Sequence, residues 1–100
     1  MYYIYILNSE RSDLYYIGYT DNVQRRLAEH NTSPRNTFTS KHRPWKIKAV
    51  FIATEDIGTT IKIERFIKRQ KSRSFIDKLC NLDLVDLPLA QLVRVPQLRD

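Results

Sequence analysis

The sequence predicts a single α+β domain, and three observations carry that prediction. Two β-forming runs open the chain, YYIYIL (residues 2–7) and YYIGYT (residues 15–20), separated by a short polar link. Helical periodicity follows directly and returns in DIGTTIKIERFIKRQ, on the far side of a third β-forming run, WKIKAVFIAT. A length of 100 residues with 42% apolar content supports one hydrophobic core and no second.

Each element has its own warrant. The first two runs are aromatic or β-branched, as strands require, and their short link makes them an antiparallel pair. Alternation places Tyr3, Tyr5 and Leu7 on one face and Tyr2, Ile4 and Ile6 on the other. Leu14, Tyr16 and Gly18 share a face of the second strand, and a turn across residues 8–13 sets Tyr5 opposite Tyr16. A helix is expected over residues 21–30, with Asp21 as N-cap and Gln24 at capping-box spacing. Its inward stripe is Val23, Leu27 and His30. Arg26 lies at the edge of that stripe, one turn before His30, and Arg25 turns toward the opposite side.

Residues 31–44, NTSPRNTFTSKHRP, read as a loop. In the third strand Lys46 and Lys48 alternate with Ile47 before the run becomes wholly apolar at residues 49–53, as on entry to the middle of a sheet. A second helix is expected from an Asp56 cap to Gln70, and a short third one over residues 74–79 capped by Ser72. The domain therefore spans residues 1–80. Residues 81–100 form a leucine-rich tail with two prolines, either docked on the domain or mobile.

Charge narrows the partners. Seventeen Lys and Arg stand against eleven Asp and Glu, and residues 35–73 alone hold eleven bases and three acids. A one-signed field of this kind attracts polyanions, so nucleic acid is the expected partner. No apolar run approaches the ~18 residues of a membrane span, and the apolar start has neither a basic leader nor a small-residue cleavage site. The single cysteine, Cys80, rules out an internal disulfide and is expected as a small buried apolar residue. Together these features predict a cytoplasmic protein with no membrane partner.

One residue breaks the pattern of the second helix. Ile57, Ile61, Ile63 and Ile67 fall on one arc, and Glu64 falls inside it. A buried carboxylate has to be paired, protonated or bound to a metal. Lys68, one turn on, is the plain solution as an i,i+4 partner.

The ordered set Tyr3-Ile4-Tyr5, ten residues, Tyr16-Ile17-Gly18, then Arg26, His30 and Glu64 on successive helices resembles the GIY-YIG nuclease superfamily. The run TSKHRPWKI is similar to that of its small stand-alone YhbQ-like branch, related to the nuclease domain of excinuclease C. The resemblance implies a small central three-stranded antiparallel sheet flanked by helices. It also implies catalytic positions at Tyr5, Tyr16, Arg26, His30 and Glu64, with Glu64 as the metal-binding carboxylate. Two positions depart from the pattern. Tyr3 stands where the first triplet usually opens with glycine, and Tyr19 where many members have lysine. A downstream asparagine of some members has no counterpart. These departures bear on catalytic strength rather than on fold.

The implied function is a metal-dependent endonuclease hydrolysing phosphodiester bonds in branched, damaged or single-stranded DNA. Glu64 can give one carboxylate to Mg²⁺ or Mn²⁺, and Arg26 offers a planar fork to two phosphate oxygens. A phenol, with a pKa of about 10, becomes a base only where cations stabilise its anion. Tyr5 or Tyr16 could then take the proton from water while the other orients water or phosphate. His30 could accept that proton instead, or hydrogen-bond the phosphate. Tyr2, Tyr3, Tyr15 and Tyr19 are assigned to packing or base stacking. Arg25, Lys41, Arg43, Lys46 and Lys68 are expected to contact nucleic acid, while His42, Arg43 and Trp45 shape the loop and groove. A protein partner is an alternative source of specificity. The rival readings are a nucleic-acid-binding module on the same fold with little or no turnover, and an interaction protein using the leucine-rich tail.

Overall fold

The computed structural model describes residues 1–80 and 93–94. Along the chain run β1 (Tyr3–Ser9), β2 (Leu14–Thr20), α1 (Val23–Thr32), a 3-10 turn (Thr39–His42), β3 (Lys46–Ile52), α2 (Ile57–Arg69), α3 (Arg73–Cys80) and β4 (Val93–Arg94). The sheet order is β2-β1-β3-β4, with every neighbouring pair antiparallel. The expected three-stranded sheet is thus β2-β1-β3, and the two-residue β4 joins it through Phe51 and Ile52. The remainder of the expected tail, docked or mobile, lies outside the described residues.

Central β1 is apolar on both faces, because each face carries a helical layer. Ile4 and Ile6 join Ala49 and Phe51 of β3 beneath Ile63 and Ile67 of α2 and Ile76, Leu79 and Cys80 of α3. Tyr5 and Leu7 face the other way, with Ile47, Val50, Trp45 and Val23 of α1. Each fully buried side chain of this size is worth about 1.5–3 kcal/mol relative to exposure. Regular alternation in β3 would place Ile47 with Ala49 and Phe51. A register shift prevents it: Ile6 pairs with Ala49 but Leu7 with Ile47, which makes Lys48 the extra residue of a β-bulge. The bulge moves Ile47 to the face of Val50, away from Ala49 and Phe51.

The hairpin register differs from expectation. Tyr5 stands opposite Gly18, and Leu7 opposite Tyr16. Pairing continues to Ser9↔Leu14, so the turn is tighter than residues 8–13; it is closed by Asp13 at φ 54°, with Ser9 Oγ accepting from Ser12 N. A shift of two residues leaves every side chain on its face. Tyr5 and Tyr16 therefore remain diagonal neighbours, ring centroids 6.4 Å apart.

The helix caps also refine the reading. Asn22, not Asp21, caps α1, its Oδ1 accepting from Arg25 N at 3.0 Å, while Asp21 takes the Arg25 guanidinium at 2.8 Å. Asp56 caps α2 as expected, accepting from Thr59 N and Thr59 Oγ1, and these bonds hold its carboxyl below the usual range. Ser72 Oγ accepts from Phe75 N at the start of α3. The buried stripe of α2 is Thr60, Ile63, Glu64 and Ile67, an i, i+3, i+4, i+7 set. Ile57, expected within it, lies on the first turn and is exposed. No described helix is long and apolar enough to cross a membrane.

Candidate active site

The site is built around Gly18 on β2, the outer strand of the sheet. The Tyr5 ring crosses this glycine from β1. A methyl group at position 18 would stand 2.6 Å from Tyr5 Cζ and 3.0 Å from Cε1. The occupant of that space beside Tyr16 is the Tyr5 phenol. Only glycine lets the ring lie flat across the strand.

Behind Tyr5 stands His30, from the last turns of α1. Tyr5 Oη is 2.9 Å from His30 Nε2, and His30 Nδ1 is 3.0 Å from Thr39 Oγ1, which in turn lies 3.2 Å from Thr37 Oγ1. Tyr5, His30 and Thr39 are all buried. Burial, then the nearby Arg26 charge and that of Arg43, outweigh Glu29 and push the imidazole down to about 4. His30 is therefore neutral at pH 7, with one ring nitrogen donating and the other accepting. Burial, reinforced by Tyr16, raises the Tyr5 phenol well above its ordinary value against the pull of Arg26. It is a neutral phenol in the resting protein. Both ring nitrogens of His30 are occupied, one by Tyr5 and the other by Thr39.

The loop that carries Thr39 is tied to α1. Trp45 Nε1 donates to Thr39 O at 2.7 Å, and Asn31 exchanges hydrogen bonds with the Trp45 backbone at 2.7 and 3.0 Å. Arg43 donates to the carbonyls of His30 and Ser33, both at 2.6 Å. Its guanidinium thus satisfies the end of α1, where carbonyls lack helical partners. Its Nε and Nη2 are the two atoms that face these carbonyls.

Tyr5, Tyr16, Arg25, Arg26, Glu64 and Lys68 line one open depression of about 580 Å³. It lies along β2, where α1 from one side of the sheet and α2 from the other converge. Arg26 is half-buried and donates to Glu29 at 3.0 Å. Burial works to lower the Arg26 pKa, but Glu29 and the two phenols outweigh it, and the guanidinium keeps its charge. Arg25, expected to turn away, lines the depression as well. Glu64 is 8% exposed, and its Oε1 meets Lys68 Nζ at 3.1 Å. The same ammonium lies 5.8 Å from the Tyr16 ring centroid.

Among the other expected nucleic-acid contacts, Lys41 is exposed on the 3-10 turn and Lys46 pairs with Glu10 at 3.0 Å; neither lines the depression. Tyr15 donates to Asp77 at 2.7 Å, and burial with that carboxylate pushes its phenol up to about 12. Thr39 and Phe38 were not singled out in the sequence. Thr39 has no periodic relation to His30 that could reveal it. Phe38 shows in the sequence as a lone aromatic in a polar loop.

Among the described residues, no three of His, Cys, Asp and Glu are gathered to hold a metal. Three carboxylates line the open depression: Asp21 and Glu29 pair with Arg25 and Arg26, and Glu64, the buried one, pairs with Lys68 through Oε1. Glu64 suits Mg²⁺, which binds through one or two carboxylates, keeps several waters and takes phosphate oxygens as ligands.

Among curated proteins, none matches this chain. The family model of the GIY-YIG catalytic domain matches residues 1–78, which include β1, β2, β3 and all the residues just described around the depression, and the chain belongs to the GIY-YIG nuclease superfamily.

Proposed function

We propose that the protein is a cytoplasmic, metal-dependent endonuclease that hydrolyses phosphodiester bonds in branched, damaged or single-stranded DNA. One observation carries the reading: two phenols, a guanidinium and a nearly buried carboxylate line the same depression, although they come from β1, β2, α1 and α2. A Mg²⁺ or Mn²⁺ held by Glu64 would neutralise charge on the phosphate and supply Lewis acidity. Arg26 orients the phosphate through two oxygens.

Tyr5 is the proton carrier. With His30 neutral, the tautomer bearing hydrogen on Nδ1 donates to Thr39, which leaves Nε2 to accept from Tyr5 Oη. As water attacks phosphorus, its proton passes to Tyr5 Oη and the phenolic proton moves to His30 Nε2, while the P–O bond to the leaving nucleotide oxygen breaks and that oxygen takes a proton from solvent. The imidazolium so formed is costly, first because His30 is buried and then because the Arg26 and Arg43 charges stand nearby. A phosphate bound at Arg26 would offset the second of these costs and raise the basicity of His30. Tyr16 orients water or phosphate at the other wall.

The Glu64–Lys68 pair favours a second reading, a binding module of low turnover, because the ammonium already occupies one carboxylate oxygen. A cleavage screen over DNA and RNA structures with Mg²⁺ and Mn²⁺ titration separates the two. The nuclease reading expects metal-dependent cleavage that falls at least about a hundredfold in Glu64→Gln, as loss of several kcal/mol of charge stabilisation requires. Equal cutting by wild type and Glu64→Gln would sink the metal role. Salt-sensitive binding without cleavage would establish the module instead.

A further inference from the structure

The loop between α1 and β3 carries an aromatic platform that the proposed chemistry does not use. Phe38 is 51% exposed, yet its position is fixed. Its carbonyl accepts from Lys41 N at the start of the 3-10 turn. Its ring lies 4.8 Å from His42, 6.3 Å from buried Trp45 and 6.4 Å from Tyr16, the last at an interplanar angle of 25°. Single exposed apolar residues are ordinary and need no function. Phe38 differs in what adjoins it. With Arg35, Thr37 and Thr39 it lines a second depression of about 500 Å³, and that depression shares Tyr16, Arg26 and Glu29 with the first.

Resting on the nuclease reading, we propose that Phe38 is a stacking platform for an unpaired DNA base next to the phosphate held by Arg26, with Arg35 meeting the adjoining phosphate. A base inside a duplex is already stacked on both sides and would have to leave its neighbours to reach the ring. A base in a single-stranded, frayed or branched segment pays no such cost, and any of the four presents a π-face to Phe38. The site thereby selects structure rather than sequence.

The test is metal-free binding of one single-stranded DNA oligonucleotide containing 2-aminopurine, and of the same sequence as a blunt duplex. Wild type should bind the single strand more tightly and quench its fluorescence. Phe38→Ala should weaken single-strand binding by about 5- to 140-fold, the range for losing one base–aromatic stack, and leave duplex affinity within about twofold. Phe38→Trp should restore the preference. Equal losses on both forms, no loss on either, or a wild type without preference would overturn the assignment. Because no cleavage is read, this outcome is independent of Glu64→Gln, and either proposal can fail while the other stands.

Discussion

The closest contact in the site is also its most exposed to test. Gly18→Ala would put a methyl carbon 2.6 Å from Tyr5 Cζ, well inside the roughly 3.5–4.0 Å at which carbons pack. The ring cannot swing clear, because Tyr5 is 2% exposed and packs with Leu7, Val23 and Val50. Overpacking of this kind costs about 1–3 kcal/mol, and replacing a strand glycine with alanine returns about 0.5–1 kcal/mol of backbone entropy. The net expectation is a loss of up to about 2.5 kcal/mol, centred at about 1 kcal/mol, at about 4–8 °C of melting temperature per kcal/mol in a domain of this size. Displacing Oη from His30 should also abolish most cleavage. Urea unfolding of Gly18→Ala, Tyr5→Leu and the double variant closes a cycle, since leucine lacks the atoms that collide. A coupling energy of about 0.5–3 kcal/mol is expected. An additive cycle with an unchanged melting temperature in Gly18→Ala would refute the packing argument.

Two further outcomes follow from the buried chain behind Tyr5. His30 titrates at about 4 in the folded state against 6.5 for an ordinary histidine, so its contribution to stability is complete above pH 6.5 and drains away as pH falls toward 4. The loss reaches about 3 kcal/mol at pH 4; urea midpoints of wild type and His30→Gln should converge over that interval, and parallel curves would exclude it. Thr39→Val keeps the shape but removes the oxygen that meets His30 Nδ1. Leaving that buried N–H unsatisfied should cost about 1–3 kcal/mol, and kcat should fall with a changed pH profile while KM stays the same. Thr39→Ser should restore both, and a pure stability loss with an unaltered pH profile would make Thr39 structural only.

Local spacing made much of this arrangement legible before any coordinates. The period of two in YYIYIL and YYIGYT determines which tyrosines share a face, and that parity survives a register error of two residues. It cannot identify the residue directly opposite, so the crossing of Tyr5 over Gly18 was missed. The β3 bulge was hidden for a related reason: KIKAVFI reads equally well as a strand entering a buried sheet, and only pairing with β1 reveals that Lys48 interrupts the alternation. At the start of α1, Asp21 and Asn22 are both good caps, and the Thr20 hydroxyl, which accepts from Asn22 N, accompanies the choice of the second. Charge alone likewise cannot show that Arg43 reaches two carbonyls at the end of α1.

The positions where local rules fail are the more informative ones. A glycine weakens a strand, a histidine buried within a polar helix forgoes solvation, and a carboxylate on the buried face of α2 costs more than a half-exposed lysine returns at a few tenths of a kcal/mol. Gly18, His30 and Glu64 are unrelated in sequence, and each departs from what its own strand or helix would favour locally. They meet around Tyr5: Gly18 leaves room for its ring, His30 holds its hydroxyl, and Glu64 faces the same depression. Three independent structural compromises would scatter over the molecule. Their coincidence at one phenol is what a chemical requirement produces, because a fold that violates its own rules does so where function offsets the cost. On this argument Tyr5, rather than Tyr16, is the residue around which the site is organised.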